Sequence, residues 1–180
     1  LKAQITAIHD RIRVEIGSGA ERIIVPASLD DFAEIYAAHP EATIVAGSTD
    51  VGLWVTKFMR AIGPVIFIGQ LQELRAIADN ASEVRFYAGV SYAQARPVLE
   101  EQFPGMAELW DRVAGEQVRN MGTVGGNIAN GSPIGDTPPV LIALRASITL
   151  RKGATRRVLP LEEFFIAYGK QDRAAGDFVE

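Results

Sequence analysis

The sequence predicts a mixed α/β (α+β) body in two lobes, and three observations predict it. Between residues 23 and 68, short apolar runs alternate with short amphipathic ones, the pattern of parallel βαβ pairing. From about residue 81 onward the chain carries a capping-box pattern, further helical stretches and a β-hairpin signature. Five of its seventeen glycines crowd into the fourteen residues from Gly122 to Gly135, where a loop rather than a regular element is expected.

Taken in order, residues 1–20 are mixed and end in Gly17-Ser-Gly-Ala20, which reads as a linker from a preceding domain. Ile23–Val25 is a short strand. Ser28 caps a helix with Asp31 at its third position; Leu29, Phe32, Ile35 and Tyr36 form its apolar face, and Pro40 stops it. Thr43–Ala46 is an apolar run leading into Gly47-Ser-Thr-Asp-Val-Gly52, and Leu53–Met59 reads as a helix. Pro64–Ile68 is a buried strand, Leu71–Ile77 a short amphipathic piece, and Val84–Ala88 a strand ending at Gly89. Ser91-Tyr-Ala-Gln94 opens a helix running to about Gln102, and helices are also expected over Met106–Ala114 and Val140–Ala146. Ser147–Arg151 and Arg156–Pro160 flank a turn at Lys152–Thr155. Leu161–Ala167 reads as a short helix or turn, Tyr168–Gly176 as an exposed loop, and Asp177–Glu180 as the start of a strand. The first lobe spans about 21–80 and the second about 81–180. With no initiator Met and an end that resembles the start of a strand, the chain is expected to be a piece of a longer polypeptide.

Composition narrows the function classes. Hydrophobic residues make up 48% and charged residues 22%, as in an ordinary globular protein, and the net charge of −4 argues against a nucleic-acid partner. No apolar stretch is long enough to span a bilayer, and the first ten residues lack a signal-peptide core. Cysteine is absent, so this chain's own residues cannot build a disulfide, a thiolate metal site or an iron–sulfur cluster. The only histidines, His9 and His39, lie far from the glycine-rich segment, so neither a zinc site nor a Ser/His/Asp triad is expected.

Two segments suit a phosphate-bearing ligand. In Val45-Ala-Gly-Ser-Thr-Asp50 an apolar strand runs into a polar turn and then a helix, whose first N–H groups have no intrahelical acceptor. Ser48 and Thr49 add hydroxyl donors; the alternative is a plain N-cap by Thr49 or Asp50. In the later segment, Gly125-Gly126-Asn127 would let backbone approach a pyrophosphate. Thr123 and Ser132 could donate to phosphate oxygens, and Asp136 could accept from a ribose hydroxyl. Its alternative is a glycine-rich connection packed against a sheet. Neither segment has G-x-G-x-x-G spacing and no G-K-[ST] occurs, which disfavours a Rossmann NAD site and a P-loop kinase.

Together, Ile44-Val-Ala-Gly-Ser-Thr-Asp50 and Asn120-Met-Gly-Thr-Val-Gly-Gly-Asn-Ile-Ala-Asn-Gly-Ser-Pro-Ile-Gly-Asp136 resemble the FAD-binding domain of the molybdenum hydroxylases, the molybdopterin dehydrogenase or PCMH-like type. Pro160-Leu-Glu-Glu-Phe-Phe-Ile-Ala-Tyr-Gly-Lys170 fits the same family, and the likeness covers roughly residues 20 to 180. Within the family it leans towards the flavin and iron–sulfur subunit of bacterial xanthine dehydrogenases, a lean carried by Ser132–Asp136 and the Lys152 hairpin.

The resemblance implies a cytoplasmic, two-lobed flavoprotein with FAD between its lobes. Val45, Ala46, Gly47, Ser48, Thr49 and Asp50 would wrap the pyrophosphate from the first lobe. Thr123, Gly125, Gly126, Asn127 and Asp136 would form the second FAD loop, with Ala88 and Gly89 at a strand end beside it. It further implies electron passage from iron–sulfur clusters through FAD to NAD+ while hypoxanthine or xanthine is oxidised at a separate molybdenum centre. The clusters and the molybdenum cofactor would then belong to other domains or subunits, and no residue here is assigned to acid or base catalysis. A carbon monoxide dehydrogenase or an aromatic-CoA reductase carries the same module, and a non-enzymatic nucleotide-binding domain is the third reading.

Overall fold

The computed structural model describes residues 12–80 and 82–180. His9 and the first eleven residues of the expected linker lie outside the described residues. Two hydrophobic cores organise the chain.

The first core forms around a four-stranded sheet. Strands β1 (Val14–Ile16), β2 (Ile23–Val25), β3 (Thr43–Val45) and β4 (Val65–Phe67) lie in the order β1-β2-β4-β3. β2 and β3 both run parallel to β4, pairing Ile23 and Thr43 with Val65, while β1 is antiparallel to β2. Helix α1 (Leu29–Ala38) makes the crossover from β2 to β3 and buries Leu29, Phe32, Ala33, Ile35 and Tyr36. These meet Ile24, Ile66, Ile68 and Leu74. The start of α1 follows the sequence: Asp31 N–H donates to Ser28 Oγ at 3.1 Å. The Asp31 carboxylate, however, accepts from Ala27 N–H at 2.8 Å, so the reciprocal half of the box lands one residue early.

The second core gathers Val90, Tyr92, Leu99, Trp110, Val124, Ile128, Ile148, Leu161 and Phe164. Strands β5 (Ile77–Asp79) and β6 (Val84–Phe86) form a hairpin that leads to helix α3 (Tyr92–Gln102). Both bonds of the capping box close at α3: Gln94 N–H to Ser91 Oγ at 3.3 Å and Ser91 N–H to Gln94 Oε1 at 3.0 Å. A Ser91→Ala variant is therefore expected to lose about 1 kcal/mol of stability, read from the shift in urea midpoint.

Short helices α4 (Ala107–Arg112), α5 (Glu116–Met121), α6 (Val124–Asn130) and α7 (Thr137–Ala143) follow. Strands β7 (Ser147–Lys152) and β8 (Thr155–Pro160) then form the expected hairpin, in register from Ser147↔Pro160 to Lys152↔Thr155. Helix α8 (Leu161–Phe164) leads into the small antiparallel pair β9 (Phe165–Ala167) and β10 (Lys170–Gln171). Strand β11 (Phe178–Val179) joins the free edge of β7. It also ties the lobes together. Phe178 packs on Phe32 in the first core, with ring centroids 4.4 Å apart, and Val179 touches both cores.

Several boundaries differ from the sequence expectation. The helix expected over Leu53–Met59 is α2 (Val51–Thr56), ended by Met59 at φ +52°. The helix expected over Met106–Ala114 begins with a 3₁₀ turn and stops before Ala114, at φ +52°. The one expected over Val140–Ala146 starts at Thr137, because Pro138 and Pro139 suit a first turn and Arg145 leaves the helix at φ +59°. The glycine-rich segment, expected as a loop, is largely helical in α6.

Candidate functional site

A cleft of about 710 Å³ opens between the two cores, within the usual range for a small-molecule site. Of the residues assigned from sequence, Ala46, Gly47, Ser48, Thr49, Asp50, Ala88, Thr123, Gly125, Gly126, Asn127 and Asp136 all line it. Val45 and Gly89 stand behind the wall instead. Val45 is buried in β3, and Gly89 turns its N–H to Leu74 O at 2.7 Å.

The first wall is the link from β3 to α2. Ser48 sits in the left-handed region at φ +62°, and its carbonyl accepts from Gly52 N–H at 2.8 Å. The Asp50 carbonyl takes the N–H groups of Leu53 and Trp54. Among the described residues, no acceptor meets the N–H groups of Gly47, Ser48, Thr49, Asp50 or Val51. Five consecutive amide donors without a partner, beside two hydroxyls, leave hydrogen-bonding capacity of the kind an anion can use. Asp50 does begin α2, but its side chain makes no cap bond. It accepts instead from Asn130 Nδ2 at 3.1 Å, joining the two motifs.

The second wall is α6, and its amides are already occupied. Val124 N–H donates to Val90 O, Gly125 N–H to Ala88 O, and Gly126 N–H to the Thr123 hydroxyl that caps the helix. A Cβ on Gly125 would lie 2.4 Å from Ala88 Cβ, so that glycine serves close packing against the end of β6. The packed-connection alternative therefore describes Gly125, and the pyrophosphate rationale for its N–H does not hold. What this wall offers a ligand are side chains. The Asn127 carbonyl oxygen accepts the Thr137 hydroxyl at 2.6 Å, leaving its NH₂ without an acceptor among the described residues. Asp136 ends the wall with no ion pair among the described residues.

Tyr92 lies at the base, 7% exposed, a cleft residue that sequence reasoning placed only in a helix. Burial, with the negative charges of Asp50 and Asp136, outweighs hydrogen bonding with Thr137 and pushes its phenol up to about 12. Tyr92 therefore stays neutral and able to donate at physiological pH. A third wall, also missed, comes from β9 and β10: Phe165, Ala167, Lys170 and Gln171, with Arg173 beyond. Gln171 Nε2 donates to Ile128 O at 3.2 Å and Ala129 O at 3.0 Å, anchoring that wall to the end of α6. Its only sequence signal was the Phe165–Lys170 part of the stretch ending at Lys170.

The lobes also approach closely at Gly47. A Cβ on Gly47 would fall 1.7 Å from Met121 O. The residues present fit a dinucleotide cofactor: a run of amide donors for a diphosphate, a carboxylate and an amide for sugar hydroxyls, and the half-buried Trp54 and Phe165 for ring surfaces.

The chain belongs to the family of FAD-binding domains in molybdopterin dehydrogenases, whose family model matches residues 16–180. It is 29% identical over 176 residues to mouse xanthine dehydrogenase/oxidase, covering 90% of this chain and 13% of the mouse protein. It is 29% identical over 164 residues to the nicotine 6-hydroxylase medium subunit of Paenarthrobacter nicotinovorans, covering 89% of this chain and 57% of the subunit. Among solved structures, carbon monoxide dehydrogenase from Hydrogenophaga pseudoflava matches with a TM-score of 0.78 and 27% identity, over 86% of this chain and 55% of that one. The chain thus spans about half or less of the length of these relatives. Among the described residues, no helix is long and apolar enough to cross a membrane.

Proposed function

We propose that this domain is the FAD-carrying electron-transfer module of a xanthine dehydrogenase. It relays electrons from iron–sulfur clusters to NAD+ while hypoxanthine or xanthine is oxidised at a molybdenum centre elsewhere in a cytoplasmic enzyme. The observation that carries the reading is the run of five unpaired amides from Gly47 to Val51, facing the Asn127–Asp136 wall across one cleft. The likeness to the mouse xanthine enzyme supports the choice of parent.

In this reading, Gly47 to Val51 hold the diphosphate with backbone N–H groups, with the Ser48 and Thr49 hydroxyls as further donors. Asn127 donates its free NH₂, and Asp136 accepts from a sugar hydroxyl. Ala88 and Gly125 keep β6 and α6 close enough to shape the wall, with Val45 and Gly89 supporting it from behind. Bound FAD supplies the chemistry, accepting electrons singly and delivering them in pairs, while the protein supplies position and a fixed electrostatic environment. Tyr92 contributes a neutral hydroxyl, and no side chain of the cleft is required to move a proton.

A carbon monoxide dehydrogenase parent is the second reading, favoured by the structural likeness to that enzyme; an aromatic-CoA reductase parent is a further alternative from the sequence resemblance. Assays of the whole enzyme separate them. Xanthine-dependent reduction of NAD+ is expected, and carbon monoxide oxidation without xanthine turnover would assign the module to the other parent.

A further inference from the structure

Thr137, the first residue of α7, is a polar side chain that lines the cleft yet is only 2% exposed. A hydroxyl buried this far is stable only when it is hydrogen-bonded. Its proton goes to Asn127 Oδ1, 2.6 Å away, a bond that joins α7 to α6. Tyr92, buried at the cleft base, is hydrogen-bonded with Thr137, so the hydroxyl is held from two directions. Gly135 lies against the Asn127 amide as well: a Cβ there would sit 3.4 Å from both Oδ1 and Nδ2.

What the Thr137 bond fixes is a choice between opposite chemistries. An Asn amide ends in a carbonyl oxygen that accepts and an NH₂ that donates, and a half-turn of the amide exchanges the two. With Oδ1 holding the Thr137 hydroxyl, the NH₂ is the end left free, and among the described residues nothing accepts from it. Asp136, one residue before Thr137, also lines the cleft and is acceptor-only when ionised. The wall thus offers one donor and one acceptor. The reversed amide would offer two acceptors to a dinucleotide whose phosphate and carbonyl oxygens are acceptors themselves.

We propose that Thr137 is a positioning residue for the cofactor: its buried hydroxyl holds the Asn127 carbonyl oxygen, so that the Asn127 NH₂ is the end offered to an acceptor oxygen of the bound dinucleotide. The proposal rests on the reading that this cleft holds FAD and deepens it by one residue that the sequence motifs did not mark. The effect of Thr137 on the ligand passes through Asn127. Without the hydroxyl the amide is free to rotate, and the wall loses its fixed donor.

A double-mutant cycle on FAD affinity tests this in the full-length protein, read by titration of flavin fluorescence. Thr137→Val and Asn127→Ala are each expected to weaken FAD binding about tenfold. In the double variant the loss should stay about tenfold, because the hydroxyl acts only through the amide. Thr137→Ser keeps the hydroxyl and should bind FAD as the parent does. Thr137→Ala lacks it and should match Thr137→Val, so the test does not depend on the folding of one variant. A urea midpoint for each protein separates loss of affinity from loss of fold. A Thr137→Val effect that persists in full in the Asn127→Ala background would overturn the proposal, and so would unchanged FAD affinity in both the Val and Ala variants. A parent protein that takes up no FAD would overturn the reading of the cleft itself, and the proposal with it.

Discussion

Replacing Gly47 with valine is expected to abolish FAD retention and to destabilise the fold by about 3 kcal/mol or more. The reason is distance rather than conformation. Gly47 does not adopt a positive φ, but any Cβ there would sit 1.7 Å from Met121 O and 2.6 Å from the Met121 carbonyl carbon. Neither atom belongs to a flexible side chain, so the β3–α2 link or the end of α5 must move. Either shift displaces the row of amides that begins at Gly47 and strains the Asp50–Asn130 hydrogen bond. Gly47→Ala should fail in the same way, because the first carbon already collides. Flavin content after gel filtration, together with a urea unfolding curve, separates loss of the site from loss of the fold.

The second large effect is expected at Arg151, a β7 residue only 4% exposed. Its guanidinium reaches Glu180 Oε1 at 3.2 Å, the Gly153 carbonyl at 2.8 Å and Asp30 in α1. It therefore ties the second-lobe hairpin to the first-lobe helix. Glu180 is as buried as Arg151, so removing the cation leaves a buried carboxylate held from one side by Arg156. Arg151→Met is expected to cost about 3 kcal/mol, almost all of it from the buried pair, since the Asp30 side chain faces water.

The same network sets an acid limit. Burial pushes the Glu180 carboxyl up, but hydrogen bonds and charge from Arg156 and Arg151 outweigh it and hold the group below its ordinary 4.5. Asp30 is held below 3.8 by its hydrogen bond to Arg151 and by that residue's charge, and Asp31 by Arg13. Carboxylates lowered on folding contribute stability that is complete above their unfolded values and lost as pH falls through the folded ones. Stability should thus hold from neutrality down to about pH 5 and fall below about pH 4. Arg151→Met should flatten that fall, a difference measurable by denaturation at a series of pH values.

Local rules were legible where local chemistry decides the structure. The Ser28 and Ser91 caps, the apolar face of α1 and the Lys152–Thr155 turn could be read because each depends on residues within a few positions. Strands β1, β5, β9 and β10 were missed because two or three residues carry no usable period, and their pairing comes from distant partners. The glycines of the later motif do line the cleft, but for a different physical reason. Gly125 is small because Ala88 lies against it, and only Gly131 among that cluster takes a positive φ, at +61°. The unpaired amides lie instead in the shorter Gly47–Val51 turn, and the β9–β10 wall gave almost no signal because its role depends on where α8 delivers it.

The central claim is that the cleft between the two cores holds FAD, and the flavin content of the full-length protein tests it most directly. The protein is purified, reconstituted with excess FAD, freed of unbound ligand and denatured to release what it retains. One FAD per chain is the predicted result, with the loss confined to variants such as Gly47→Val. A full-length protein that folds, takes up no flavin after reconstitution and shows no flavin absorbance would contradict the account.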